Sequence, residues 1–335
     1  MNIRRWGAVA SWACMWLLLA VAWLWTFAAL WLFKPLPAVW AHAAALLWAG
    51  ATVAVFVRLP TGKALRGVAA GGLLILLIWG RQQPSNDRPW IAAQARLPEI
   101  TRDGDLAVIR NVRAAVYRSE DDYDVLWRRR TYDLRQLESV DFVMVPFPNS
   151  EAMAHVFVTF GFRDGTHLAI SPEARREQGA AYSPLRGMFR HYPLMYVIGE
   201  ESDLIGLRAN IQRQRVYVYP IRTSPEQARR LLCSMLDRAA SLRESPEYYH
   251  TITNACGTNL LWHLNQVRES PVPWGRRVML PGLSDELAFD LGLIDFEGPV
   301  GEARRRFCVE GRTLPWTSGP EWSRQIRATA IGSPP

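Results

Sequence analysis

Apolar positions run along this chain in two different ways. Residues 6–33 form one unbroken uncharged run, rich in Leu, Ala and Trp and ended by Lys34-Pro35. A second uncharged run covers 35–57 and closes at Arg58, and a third covers 67–80 between Arg66 and Arg81. The first two exceed the ~20 residues that a helix needs to cross a bilayer. The third is short, and predicts a tilted or thin span completed by Ala64 and Leu65, or a re-entrant piece. The first run is far longer than the ~7–15-residue apolar stretch of a cleavable signal peptide, so it is expected to persist as a span.

After the polar linker 81–88 the period changes. Alternating or β-branched runs at 106–117, 131–137, 141–147, 155–162, 166–171 and 216–221 predict strands. Ser224-Pro225-Glu226 predicts a helix start as N-cap, first-turn Pro and acid, with Ala228, Leu231, Leu232, Met235, Leu236 and Ala239 as the buried stripe. A second helix is predicted over 256–267, with Thr253 or Asn254 as N-cap. Residues from about 327 onward read as a loose tail. The chain therefore divides into a membrane domain, 1–81, with three spans expected, and one α+β domain, 82–335.

Charge sharpens this division. Residues 1–81 carry seven Lys or Arg and no acid, whereas 82–335 carry 32 Arg, no Lys and 31 acids. The formal charge of +8 thus belongs almost wholly to the membrane part, which argues against nucleic-acid binding despite the basic balance. Nine of the 15 Trp lie in the first quarter, several near span ends, where amphipathic rings suit the headgroup layer. Arg4 and Arg5 precede the first span, Lys34 follows it, and Arg58, Lys63 and Arg66 separate the second and third. Positive charge on alternate loops places the N-terminus and second loop in the cytoplasm. Three spans then put the large domain on the outer side of the membrane, and two would put it inside.

There is no Walker loop, GxSxG, HExxH or CxxC pair. Of the four Cys, Cys14 sits in the first span and Cys233 falls on the apolar side of its helix. Cys308 reads as packing, or as a disulfide partner of Cys233. Cys256 opens a helix on its inward face, where the helix dipole lowers a thiol pKa and favours the thiolate; the bland alternative is a small buried residue. His155 opens an unusually apolar strand and is either a buried structural imidazole or a base. Arg163-Asp164-Gly165 signals a hairpin. If Phe162 pairs with Thr166, His155 falls opposite Glu173, with Ser171 and Arg175 as diagonal neighbours. Glu173 is then the group placed to orient His155, with Glu177 the alternative, while His167 pairs with Gly161 some ~20 Å along the strand.

These same residues carry a resemblance. Ala154-His155 through Gly165, then Ser171-Pro172-Glu173-Ala174-Arg175, Tyr182-Ser183, Phe189-Arg190, Glu201 through Arg208, and Tyr249 through Cys256 together resemble the Lnb-type N-terminal periplasmic domain, over about 105–265. That family looks similar to circularly permuted NlpC-type, papain-like thiol enzymes, in which the His strand precedes the Cys helix. The resemblance implies such a fold, an antiparallel sheet with a Cys-bearing helix, with Cys256 as nucleophile, His155 as base and Glu173 as third member. It also implies that the outer side is the periplasm of a bacterial inner membrane, and acyl transfer at the membrane surface, on a phospholipid or lipoprotein substrate, without metal or organic cofactor. The Cys256 amide and a polar side chain such as Asn254 are expected to meet the oxyanion, and Ser171 and Arg175 to support the base. A cell-wall peptidase or amidase using the same residues, and a non-catalytic tethered binding domain, are the competing readings; the oligomeric state is not legible.

Overall fold

The computed structural model describes residues 3–309 and 319–328, with only the helical backbone for 3–11. It divides into two units, Met1–Pro84 with Ser183–His191, and Ser85–Tyr182 with Tyr192–Pro335.

The first unit holds helices α1 (Ile3–Trp31), α2 (Ala38–Arg58) and α3 (Thr61–Gly80). Each contains a stretch long and apolar enough to cross a membrane. The short third run is completed upstream: α3 begins at Thr61 and spans 20 residues, taking in Ala64 and Leu65 with Lys63 and Arg66 in its first two turns. The side chains of Arg4, Arg5 and Trp6 lie outside the described residues. Indole donors stitch the helices together, from Trp23 Nε1 to Thr52 Oγ1 at 3.0 Å and from Trp48 Nε1 to Thr26 Oγ1 at 3.2 Å, the kind of interhelical hydrogen bond an apolar medium favours. Segment Ser183–His191, with its single turn α4 (Pro184–Gly187), packs with these helices. Arg190 Nη1 donates to the carbonyls of Trp79, Gly80 and Gln82, satisfying groups that a helix C-terminus leaves open, and its guanidinium stacks on Trp79 at 4.2 Å.

The second unit is built on one eight-stranded sheet. Its strands are β1 (Glu99–Asp103), β2 (Leu106–Tyr117), β3 (Tyr123–Asp133), β4 (Leu137–Phe147), β5 (Ser150–Phe162), β6 (His167–Ala174), β7 (Leu194–Gly199) and β8 (Tyr217–Pro220). They lie in the order β1-β2-β7-β6-β5-β4-β8, with β3 also on β2. All pairings are antiparallel except one bridge between Arg113 of β2 and Gly199 of β7. A Cβ at Gly199 would stand 2.8 Å from the Arg113 carbonyl and 2.5 Å from Leu204, so only glycine lets the strands meet there. The strand expected over 131–137 instead starts at Tyr123 and ends at Asp133, which caps a 3₁₀ turn at Leu134–Gln136. Three successive arginines on an edge strand conceal its period. Strands β1 and β7 have no counterpart in the expected set, β1 because it is polar and β7 because both its faces are buried.

Alternate residues feed two cores. Leu194, Tyr196 and Ile198 face α6 (Pro225–Glu244), whose Ala228, Leu232, Met235, Leu236 and Ala239 are buried as the stripe predicts. Ser224 caps this helix in a reciprocal box with Gln227. Met195 and Val197 face the opposite core with Phe157 and Ala169, against α5 (Glu201–Gly206), which runs into one π-helical turn, Leu207–Ile211. The remaining helices are α7 (Cys256–Val267), α8 (Arg276–Met279), α9 (Ser284–Asp290), α10 (Val300–Arg306) and α11 (Pro320–Ala328). The expected loose tail is corrected at its start. Arg327 belongs to α11 and bridges Asp141 at 2.7 Å and Glu201 at 2.6 Å, while Trp322 and Ile326 enter the core; residues 329–335 lie outside the described residues. Cys233 and Cys308 are free thiols packed in separate clusters, so no disulfide joins them.

Candidate active site

Cys256 is the first residue of α7 and is buried. The residue before it, Ala255, stands at the N-cap, where neither Thr253 nor Asn254 does; it has no side-chain oxygen, and Thr258 Oγ1 instead accepts the Ala255 amide at 2.8 Å. No side chain caps the first-turn amides, and the backbone of Cys256 and Gly257 favours the thiolate form of the side chain. The β5–β6 ladder stops at Val158 and Ile170. Two residues further along β5, the Val156 backbone acts on the thiol in the same sense.

The predicted hairpin register holds along the ladder: Phe160 pairs with Leu168 and Gly161 with His167. Beyond Ile170 the strands part, and β6 continues against β7 alone, Glu173 pairing with Met195. Ser171, not Glu173, therefore meets the imidazole. His155 Nε2 lies 2.8 Å from Ser171 Oγ, which donates to Glu173 Oε1 at 3.1 Å, whereas His155 Nε2 and Glu173 Oε1 are 3.9 Å apart. Gln94 Nε2 donates to the other carboxylate oxygen at 3.0 Å, and Gln94 is itself held by the Arg176 amide.

This relay determines a tautomer. Burial alone would raise Glu173, but Arg113, His155, Arg208 and the Gln94 amide outweigh it and hold the carboxyl below its ordinary value. An ionised carboxylate only accepts, so the Ser171 proton points to Glu173 and Ser171 must accept from His155 Nε2–H. The lone pair then resides on Nδ1. Desolvation, helped by the Arg208 charge, pushes His155 down to about 4, so the ring is neutral and able to take a proton.

Cys256 and His155 line one cavity of about 240 Å³ together with Glu173, Gln94, Tyr182, Tyr249, Arg176 and Arg208. No direct hydrogen bond joins thiol and imidazole, as is common before substrate binds. The expected thiolate is corrected. Burial pushes the Cys256 thiol up, and the amides of Val156, Gly257 and Cys256 only partly offset it, because a desolvated anion costs more than three amide dipoles return. The resting pair is thus thiol and neutral imidazole. Iodoacetamide labelling of Cys256 is accordingly expected to be slow at pH 7 and to climb only above the ordinary thiol range. The acid limb of any reaction that uses His155 as base is expected near pH 4, not 6.5, since its imidazole is pushed down to about 4. A labelling midpoint below pH 7, read by mass spectrometry, would contradict this.

Two other expected residues are elsewhere. Asn254 donates to the Tyr248 carbonyl at 2.9 Å and accepts from Asn259, so it braces the loop before α7 and does not line the Cys256 cavity. Arg175 stacks on Trp90 at 4.2 Å and donates to the carbonyls of Gln94 and Ala95; β6 turns it away from His155, and it supports the Gln94 turn instead. Glu177 pairs with Arg88 at 3.6 Å. His263 is buried between Tyr196 and Ser234. His167, Asp141 and Glu201 are the one cluster of metal-ligand type among the described residues, and the Arg327 guanidinium already bridges its two carboxylates. The hydroxyls of Tyr182 and Tyr249 stand 3.2 Å apart, two site groups that residue spacing alone does not mark. Burial makes both titrate high, so they stay protonated, and they line the same cavity as Cys256. Their only signal was their place in the quoted motifs.

The fold is an α+β domain whose polar cavity joins a helix-start thiol to an imidazole, serine and carboxylate relay. Residues 123–281 match the model of the Lnb N-terminal periplasmic domain family, so the resemblance read from the sequence holds, somewhat further toward the C-terminus than its motifs indicated. With three apolar helices before it, this makes the chain a membrane protein with a periplasmic domain. No curated protein and no solved structure matches it.

Proposed function

We propose that the protein is a multi-pass inner-membrane thiol acyltransferase whose periplasmic domain moves a fatty acyl group through a thioester on Cys256. The observation that carries this reading is the shared cavity of Cys256 and the His155–Ser171–Glu173 relay, with the base lone pair on Nδ1. The Cys256 thiol gives its proton to His155 Nδ1 as the sulfur attacks a lipid ester carbonyl. The oxyanion is met by the Cys256 amide and a tyrosine hydroxyl. Collapse breaks the ester C–O bond, and the departing alkoxide takes the proton from His155. An acceptor amine, such as the N-terminus of a lipoprotein, then gives a proton to His155 and attacks the thioester, and the thiol is restored. This sequence needs neither metal nor organic cofactor.

Support for a lipidic substrate comes from the membrane helices and from a second cavity along α7. That cavity begins at Gly257 and is lined by Val156, Val158, Leu260, Leu264, Leu287 and similar residues, with Arg277 and Ser284 its only polar ones; an acyl chain suits it better than a peptide. Purified protein incubated with phospholipid is expected to gain one acyl mass, removable by neutral hydroxylamine and absent in Cys256→Ser. Turnover of a cell-wall peptide with no acyl gain would favour the peptidase reading of the same residues.

A further inference from the structure

Among the arginines with restricted solvent access, most are matched by carboxylates. Arg113 pairs with Asp203, Arg238 with Glu247, Arg304 with Asp285, and Arg327 with Asp141 and Glu201. Arg175, Arg190 and Arg268 donate to backbone carbonyls instead, and two half-buried arginines have neither kind of partner for their charge. Neither Arg176 nor Arg208 makes an ion pair among the described residues, and both line the Cys256 cavity and the adjoining cleft of about 420 Å³. Arg208 projects from the π-helical turn, a device frequent at functional sites, and among the described residues its side chain makes one hydrogen bond, from Nη1 to Gln212 Oε1 at 2.9 Å. The carboxylate they share, Glu173, is committed to Ser171 and Gln94. Glu120 and Asp121 line only the adjoining cleft.

We propose that Arg208 and Arg176 form an anion subsite beside Cys256 that takes the phosphodiester of the acyl donor, a glycerophospholipid. The anion site stands on geometry alone, and its assignment to an acyl donor rests on the acyltransferase reading above. A charge withdrawn from water without a bonded partner is costly; the nearby Glu173 charge offsets only part of the desolvation that pushes Arg208 down, and an anionic substrate supplies the direct partner. A planar guanidinium fork matches two phosphate oxygens. In a glycerophospholipid the sn-2 ester and the phosphodiester sit on neighbouring glycerol carbons, so a phosphate on Arg208 holds that ester carbonyl within the same small cavity as the sulfur. The bound anion also offsets the charge that helps hold His155 low, making the imidazole a stronger base once the donor is in place.

The test compares iodoacetate with iodoacetamide on Cys256 of the full chain in detergent, above pH 9, as a ratio of rates scaled to that of mercaptoethanol. The ratio cancels changes in thiol reactivity itself. The wild-type ratio is expected to exceed that of mercaptoethanol roughly 10-fold or more, as an anion is steered to the cationic cleft. Arg208→Gln and Arg176→Gln should each lower it, and Arg208→Lys should keep much of it, which separates charge from damage to the fold. Glycerophosphoglycerol should slow both reagents in the wild type and not in Arg208→Gln. A wild-type ratio equal to that of mercaptoethanol, or one unmoved in both Gln variants, overturns the subsite. In a second arm, acyl gain on Cys256 is followed from phosphatidylglycerol and from diacylglycerol with the same chains. Gain about 10-fold faster from the phospholipid is expected, and equal rates overturn the phosphodiester assignment. No gain from either, with the anion preference intact, overturns the donor assignment and the acyltransferase reading together while leaving the anion site standing.

Discussion

His155→Ala is expected to slow thioester formation by about 10²–10⁴-fold, the usual worth of a positioned general base, and Cys256→Ser to abolish it. The more discriminating variant is Glu173→Gln. An amide at position 173 can donate to Ser171 Oγ, which frees the Ser171 proton to point at His155 Nε2. The imidazole proton then moves to Nδ1, and the lone pair that should receive the thiol proton is gone. Loss of the correct tautomer costs about 10⁴-fold in the triad from which this reasoning is borrowed; with a serine interposed, a fall of at least ~10²-fold is expected. Ser171→Ala removes the relay without imposing the wrong tautomer, so it should be milder than Glu173→Gln. Single-turnover acylation of the three variants, with ¹⁵N chemical shifts of the His155 ring, checks both rate and tautomer. Glu173→Gln at wild-type rate, or Nδ1 protonated in the wild type, would remove the relay from the mechanism.

The second large effect concerns stability. Arg113 and Asp203 form a two-pronged pair, Nε to Oδ2 at 2.9 Å and Nη2 to Oδ1 at 2.8 Å, with 4 % and 0 % of their side chains exposed. Asp203 Oδ2 also takes the Ala115 amide at 2.7 Å, and Arg113 Nη1 reaches the Ala93 carbonyl at 3.0 Å. Asp203→Ala leaves a buried guanidinium and a β-strand amide unmatched, and about 3–5 kcal/mol of destabilisation is expected. That is a large share of the ~5–15 kcal/mol that holds a domain folded. Because Ala93 precedes Gln94, and Gln94 holds Glu173, the same change should loosen the site before the domain melts. Denaturant unfolding of the variant measures the loss; under about 1 kcal/mol would mean that the pair is not desolvated as described.

Local patterns carried a good deal of this molecule. The N-cap at Ser224 and the stripe from Ala228 to Ala239 need only residues a few positions apart, and both formed as expected. So did α7 from Cys256 to Val267 and β2 from Leu106 to Tyr117. The hairpin register followed from one turn signal, because a tight turn sets the pairing of the strands it joins. The candidate groups Cys256, His155, Glu173 and Ser171 could thus be named from the chain alone. What failed were statements about environment. The thiol was expected to be depressed by a helix dipole, yet burial raises it, and burial depends on segments far away in sequence, such as Pro281 and Tyr182.

The sequence by itself determined the division into apolar spans and an α+β domain, the main helices, and the residue types that converge on the candidate site. These depend on periodicity and local capping, interactions within one turn or one hairpin. Only the tertiary structure decided how those residues divide the work. It parted β6 from β5 after Ile170, so that Ser171 stands between His155 and Glu173. It turned Arg175 onto Trp90, and brought Gln94, Tyr182, Tyr249 and Arg208 into one cavity. The physical reason is that hydrogen bonds and desolvation act over a few ångströms, and which groups come within that range is settled by the packing of elements remote in sequence.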